Sequence, residues 1–160
     1  MRIEICSTLP YALEDILNGL LLLRTEQAEP RVTYIKRKHT ADHIVHEMRY
    51  EVHLLLVPFV GKKVVMREDI TIGTNRIVVK TYGENYQQRV CPYMVTEARY
   101  AQRNDRPETD CTLVVEWAIN EKGLGTMIED QLNNFGRKQQ AEIQQREIRY
   151  IEKYRSLKSS

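Results

Sequence analysis

Apolar and polar positions change period twice along this chain, and the changes mark out its elements. Residues 2–8 alternate, with Arg2 and Glu4 interleaved with Ile3 and Ile5, and read as a short first strand. Pro10 then opens a helical segment. Ala12, Leu13, Ile16, Leu17, Leu20 and Leu23 fall at three- and four-residue spacings that give one apolar face, and Pro30 ends it. Gly19 is expected to weaken this helix or split it into two short ones. From Arg31 the period is two. Val32 to Ile35 begins a strand, and Lys36-Arg37-Lys38-His39 is expected as a charged connection. The next strand sorts its faces clearly. Ile44, Met48, Tyr50, Val52, Leu54 and Leu56 share one side, and Glu47, Arg49 and Glu51 share the other. Pro58 and Gly61 turn the chain before Val64, Met66, Ile70 and Ile72, and Gly73-Thr74-Asn75 turns it again. Strands are then expected at Ile77-Val78-Val79, around Tyr93 to Tyr100, and through Leu113, Val115, Trp117 and Ile119.

After Gly123 the period becomes helical. Leu124, Ile128, Leu132 and Phe135 form one narrow apolar face, and Thr126 with Glu129 has the spacing of a capping box. A helix over 124–154 would be about 46 Å long, whereas a ten-residue strand covers about 33 Å. Its polar second half is therefore expected to overhang the sheet, with Gln139 to Gln145 solvated or serving as a helix-pairing surface. The pattern predicts an α+β fold over residues 1–160, organised as one domain. A curved antiparallel sheet of six to seven strands grips a long C-terminal helix, and one or two short helices follow the first strand.

Composition narrows the class. At 160 residues the chain is long enough to bury a core. A net charge of +2 makes no global demand for a nucleic acid, and the basic runs lack the interleaved aromatics of a nucleic-acid surface. Cys6, Cys91 and Cys111 form no C-x-x-C pair, so buried free thiols in a reducing compartment are expected. The longest apolar stretch, Ile16 to Leu23, is too short for a bilayer, and the N-terminus lacks the apolar run of a signal peptide. These features predict a cytoplasmic protein, with transient membrane contact left open.

Three short stretches resemble the VASt-type sterol-binding domains: Met66-Arg67-Glu68 in a strand, Val90-Cys91-Pro92-Tyr93 at the entry to a later one, and Gly123-Leu124 followed by Ile128-Glu129. Cys91 interrupts the usual Val-Pro-Tyr run. A first strand starting at the initiator Met is similar to the PRELI-type phospholipid transfer proteins, although these residues leave no room for that group's extra helix. Both belong to the START-like helix-grip superfamily, which the element order resembles along nearly the whole chain. The resemblance implies a hydrophobic ligand, a sterol or phospholipid, held between sheet and terminal helix, with no cofactor and no covalent catalysis.

On that reading Met48, Tyr50, Val52, Leu54, Met94, Val115 and Trp117 from the sheet, with Ile128, Leu132 and Phe135 from the helix, line the pocket. The competing account is a filled core, because interiors pack to crystal-like density. Glu68 lies on the apolar parity of its strand. It either anchors a ligand hydroxyl or, as the cost of an unpaired buried carboxylate argues, is turned outward by a bulge. Pro58, Phe59 and Val60 followed by Lys62 and Lys63 could dip into an anionic bilayer or simply form a packed hairpin corner. His39, His43 and His46 beside Glu47 invite a metal, but positions 43 and 46 point to opposite faces of a strand, so no metal site is predicted. Two rival functions remain: a protein-interaction module that recruits a partner through the C-terminal helix, and an enzyme of the same fold, a cyclase or hydrolase, drawing on Glu68, His46 and Tyr50.

Overall fold

The computed structural model describes residues 2–51, 63–83, 93–118 and 125–160, excepting the side chains at 93, 118, 125–129, 131, 132 and 135. The elements run β1 (Arg2–Leu9), α1 (Leu13–Thr25), β2 (Val32–His39), β3 (His43–Glu51), β4 (Lys63–Ile72), β5 (Arg76–Gly83), β6 (Tyr93–Gln102), β7 (Thr109–Ala118) and α2 (Gly125–Ser159). All seven strands pair antiparallel in one sheet, in the order β1-β7-β6-β5-β4-β3-β2.

β1 and β2 are consecutive strands at opposite edges, joined through α1. Seven flat strands would span about 29 Å, while a 13-residue helix covers about 20 Å. Curling brings the edges closer. Its result is visible in one apolar cluster that joins Ile3 of β1 and Trp117 of β7 to Val64 and Met66 of β4, with Met48 and Tyr50 of β3 packed against it. Strand twist makes such curling the natural state of a sheet with one apolar face.

α1 is a single helix. Leu13, Ile16, Leu20 and Leu23 are buried, as their spacing predicts. Its N-terminus has no side-chain cap from Ala12; instead the Leu13 N–H donates to the Gln102 side chain at 3.0 Å. Gly19 does not break the helix. A Cβ there would lie 2.6 Å from the Ile151 Cα, so the glycine marks where α1 and α2 touch backbone to backbone. After α1, Gln27 takes a left-handed conformation (φ 53°). Its amide donates to the Tyr34 carbonyl and accepts from the Tyr34 N–H, both at 2.8 Å, covering part of the exposed edge of β2.

Three expectations need correcting here. Lys36 to His39 are not a connection: they lie within β2, across a register shift between Lys36 and Lys38, and the turn follows at Thr40. The polar second half of α2 does not overhang, because its polarity serves contacts with α1. Ile151 is buried in the main core and Ile148 packs against it. Around them Arg146 pairs with Glu29, Lys153 with Glu26 at 2.8 Å, and Lys158 with Asp15 at 3.3 Å, while Tyr11 donates to Glu152 at 2.5 Å. The glutamine stretch is not wholly solvated either, since Gln139 donates to the Tyr50 hydroxyl and Gln144 to Ser7, each at 2.9 Å.

Candidate functional site

Cross-strand register fixes which side chains face the concave side. His46 sits opposite Glu68, Glu68 opposite Thr81, and Thr81 opposite Thr96, so these four form one transverse polar row across β3, β4, β5 and β6. The next row carries Tyr34, Met48, Met66, Met94 and Trp117, and beyond it lie Val32, Tyr50 and Val64. On the other side of the polar row, Ile44, Ile70, Val79 and Ala98 belong to the core beneath α1 and the end of α2, and all four are buried.

The concave face is therefore not filled evenly. Under α1 it is close-packed. Toward the start of α2, Met48, Tyr50 and Met94 are only partly buried, and so are Thr81 and Thr96 of the polar row. These positions point to the inside of a curled sheet with α2 against it. Gln139 of α2 bonds Tyr50, and a Cβ on Gly136 would meet Ile3 at 3.7 Å, which places the helix over this same half.

Between the two halves lies a buried charge cluster. Glu68 is 1% exposed and stays in register: Val64, Met66, Glu68 and Ile70 are buried in turn, and the β3–β4 ladder shows no shift. The bulge expected to turn it outward is absent because the carboxylate has a partner. Arg24, on the last turn of α1, donates Nε to Oε1 at 2.7 Å and NH2 to Oε2 at 2.8 Å, a bidentate clamp. The His46 Nδ1 lies 3.0 Å from Oε1. Burial alone would raise the Glu68 pKa, but the charge and hydrogen bonds of Arg24, with His46 behind them, bring it down to about 2. Arg24 also donates to the Leu20 carbonyl at 3.1 Å and lies over the Tyr34 ring at 5.2 Å.

α2 adds a second carboxylate. Burial pushes Glu147 up to about 7, against the pull of Arg24; Glu29 and Glu68 push it further up, and a hydrogen bond with Tyr100 opposes them. Nearby, burial raises the Cys111 thiol to about 11, the state of an unreactive buried cysteine. Cys6, expected to be buried, is exposed on β1. The convex face is different in kind: His43 pairs with Asp69 at 3.2 Å, Arg37 with Glu47 at 2.7 Å, and Arg99 with Glu97 at 2.5 Å. His43 and His46 thus lie on opposite faces, and among the described residues no three His, Cys, Asp or Glu side chains gather as metal ligands.

Of the residues predicted from sequence, the structure brings Met48, Tyr50, Glu68, Met94, Val115 and Trp117 to the concave face. Lys63 opens β4 and is exposed. Val52, Leu54, Pro58, Phe59, Val60 and Lys62, and the side chains of Ile128, Leu132 and Phe135, lie outside the described residues. Arg24, Glu147, Thr81 and Thr96 were not anticipated. Among the described residues, no helix is long and apolar enough to cross a membrane.

No family model and no curated protein matches this chain. Solved structures do. The ZhuI aromatase/cyclase from Streptomyces sp. R1128 superposes with a TM-score of 0.64 at 12% identity, covering 95% of this chain and 93% of its own. A conserved protein from Geobacillus kaustophilus gives 0.62 at 11% identity, covering 96% of each. Ara h 8.0201 gives 0.59 at 10%, covering 94% of this chain and 97% of its own. The fold is a helix grip. At such identities the likeness extends to the fold alone, and within the helix-grip fold the chemistry must come from the residues lining this particular concave face.

Proposed function

We propose that this protein binds a hydrophobic small molecule between the concave face of its sheet and the first half of α2, and carries or senses it without covalent catalysis. The observation behind this reading is the half-buried state of Met48, Tyr50 and Met94 on the inside of a curled sheet. A ligand completes their burial. Each 100 Å² of apolar surface removed from water is worth about 2.5 kcal/mol before ordering costs. Neighbours of the same fold include proteins named as aromatase/cyclases. The short resemblances at Met66-Arg67-Glu68 and Ile128-Glu129 support a sterol as that molecule, and the first strand's likeness to the PRELI type supports a phospholipid, taken up through transient contact with a membrane surface by Pro58, Phe59, Val60, Lys62 and Lys63.

Trp117 makes the test direct. It is the sole tryptophan of the chain and lies on the apolar floor, 8% exposed. Energy transfer from it to dehydroergosterol, or to a pyrene-labelled phosphatidylcholine delivered from vesicles, is expected to saturate at one ligand per chain. Trp117→Tyr, read by retention of radiolabelled ligand, should bind with little loss, and Trp117→Ala about tenfold more weakly, for loss of an aromatic contact. No transfer to either probe, with the fold intact by circular dichroism, would remove this function.

A further inference from the structure

His46 is 6% exposed and its two ring nitrogens have different neighbours. Nδ1 faces Glu68, whose carboxylate is held ionised by the bidentate Arg24 clamp and can only accept. Nδ1 therefore carries a hydrogen, and in the neutral ring the lone pair is on Nε2. Among the described residues Nε2 hydrogen-bonds to none. The ring meets Tyr34 edge to face, centroids 6.0 Å apart, which fixes its plane. Side chains stand roughly perpendicular to a sheet, so Nε2, the distal nitrogen, is carried away from β3 into the concave side. His46 ends the polar row at the boundary of the half-open floor, with Met48 and Tyr50 next on its own strand face. Nε2 is therefore an open acceptor, and an arriving donor gains a hydrogen bond there.

The surrounding charges restrict the donor. Arg24 is engaged by Glu68 and the Leu20 carbonyl, and Lys36, opposite His46 on β2, is exposed to solvent outside the buried cluster. Glu147 from α2 supplies no cation, and Arg146 is paired with Glu29. We propose that His46 is the polar end of the ligand site, where Nε2 accepts a hydrogen bond from the hydroxyl of a neutral hydrophobic alcohol or phenol. This rests on the ligand-binding reading above and sharpens it: an alcohol such as a sterol fits the cluster and a phosphate ester does not. Arg24 and Glu68 are positioning residues that hold the imidazole in one tautomer.

The test compares 1-naphthol with 1-methoxynaphthalene, which share shape and differ in the donor, by isothermal titration calorimetry at neutral pH. Wild-type protein is expected to prefer the naphthol about tenfold, the value of one hydrogen bond in a site built for it. His46→Asn keeps a short donor toward Glu68 and lacks the distal acceptor. It should bind both probes with the affinity wild type shows for the ether, while His46→Gln, which carries an amide oxygen at that distance, should recover part of the preference. In wild-type protein, independent of any variant's folding, the His46 Nε2 nitrogen resonance should shift on adding naphthol and stay in place with the ether. Equal affinities in wild type, a preference that survives in His46→Asn, or an unmoved Nε2 resonance would overturn the assignment of His46 alone. Failure of both probes to bind would overturn the ligand-binding reading with it.

Discussion

Arg24 and Glu68 make each other's burial tolerable. Side chains of both are almost wholly shielded, and the guanidinium supplies two of the three hydrogen bonds that the carboxylate accepts. Removing one partner leaves an uncompensated buried charge, so Arg24→Met should destabilise the fold by about 3 kcal/mol in urea titration. The double variant Arg24→Met with Glu68→Met should recover most of that loss, because an apolar pair of similar volume has no charge to desolvate. Equal loss in single and double variants would show that the pair is not the source. Glu147 gives a second prediction with a definite sign. Its folded pKa, pushed up by burial to about 7, lies above the ordinary glutamate value of 4.5. Its contribution to stability is therefore complete below about pH 4.5 and is lost as pH rises through 7. Glu68, held at about 2, behaves oppositely: its contribution is present above 4.5 and fades as pH falls toward 2. Calorimetric Tm values at pH 5, 6, 7 and 8 should fall more steeply for wild type than for Glu147→Gln, which has no proton to lose; parallel profiles would contradict the assignment. The sequence held half of the information about this cluster. Glu68 broke the apolar parity of β4, and Arg24 sat four residues after Leu20 on the buried face of α1. Glu68 looked like a misfit alone, and Arg24 was not singled out. Nothing local shows that two charged residues 44 positions apart answer one another.

α1 and α2 meet at Gly19, and the element scale is where sequence reading went furthest astray. Glycine lowers helix propensity, so a break or weak point was the natural expectation. The actual constraint is the missing Cβ, which lets the Ile151 backbone approach. In an exposed helix Gly→Ala would stabilise by about 1 kcal/mol. Here the new methyl would fall 2.6 Å from a backbone Cα, which cannot swing aside, and Gly19→Ala should cost about 1–3 kcal/mol as an overpacked contact. Chemical denaturation checks the sign: a more stable variant would mean that the helices do not touch there. The same blindness to distant partners explains the second half of α2. Its polar sequence looked like an overhang, whereas Arg146, Glu152, Lys153 and Lys158 all face partners on α1 or beside it. Strands fared better. Alternation in Ile44 to Tyr50, Val64 to Ile72 and Leu113 to Trp117 placed β3, β4 and β7 correctly, since a two-residue period leaves one choice of face.

The whole molecule is a sheet curled so far that β1 and β4 share one apolar cluster, with one half of its inside packed by two helices and partly buried apolar side chains in the other. Element order alone led to that architecture, because a curved sheet cannot cover its own concave side and a single long amphipathic helix was available to do so. What order could not supply is how full the interior is. That depends on summed side-chain volumes against curvature, and on a polar row whose members come from four strands. The account stands on the open half being a ligand site. Native mass spectrometry of the protein purified from a eukaryotic host, followed by lipid extraction, tests this most directly. A stoichiometric hydrophobic molecule is predicted, of the alcohol class if His46 reads a hydroxyl; a clean apo mass, with no uptake from mixed liposomes, would contradict the account at its centre.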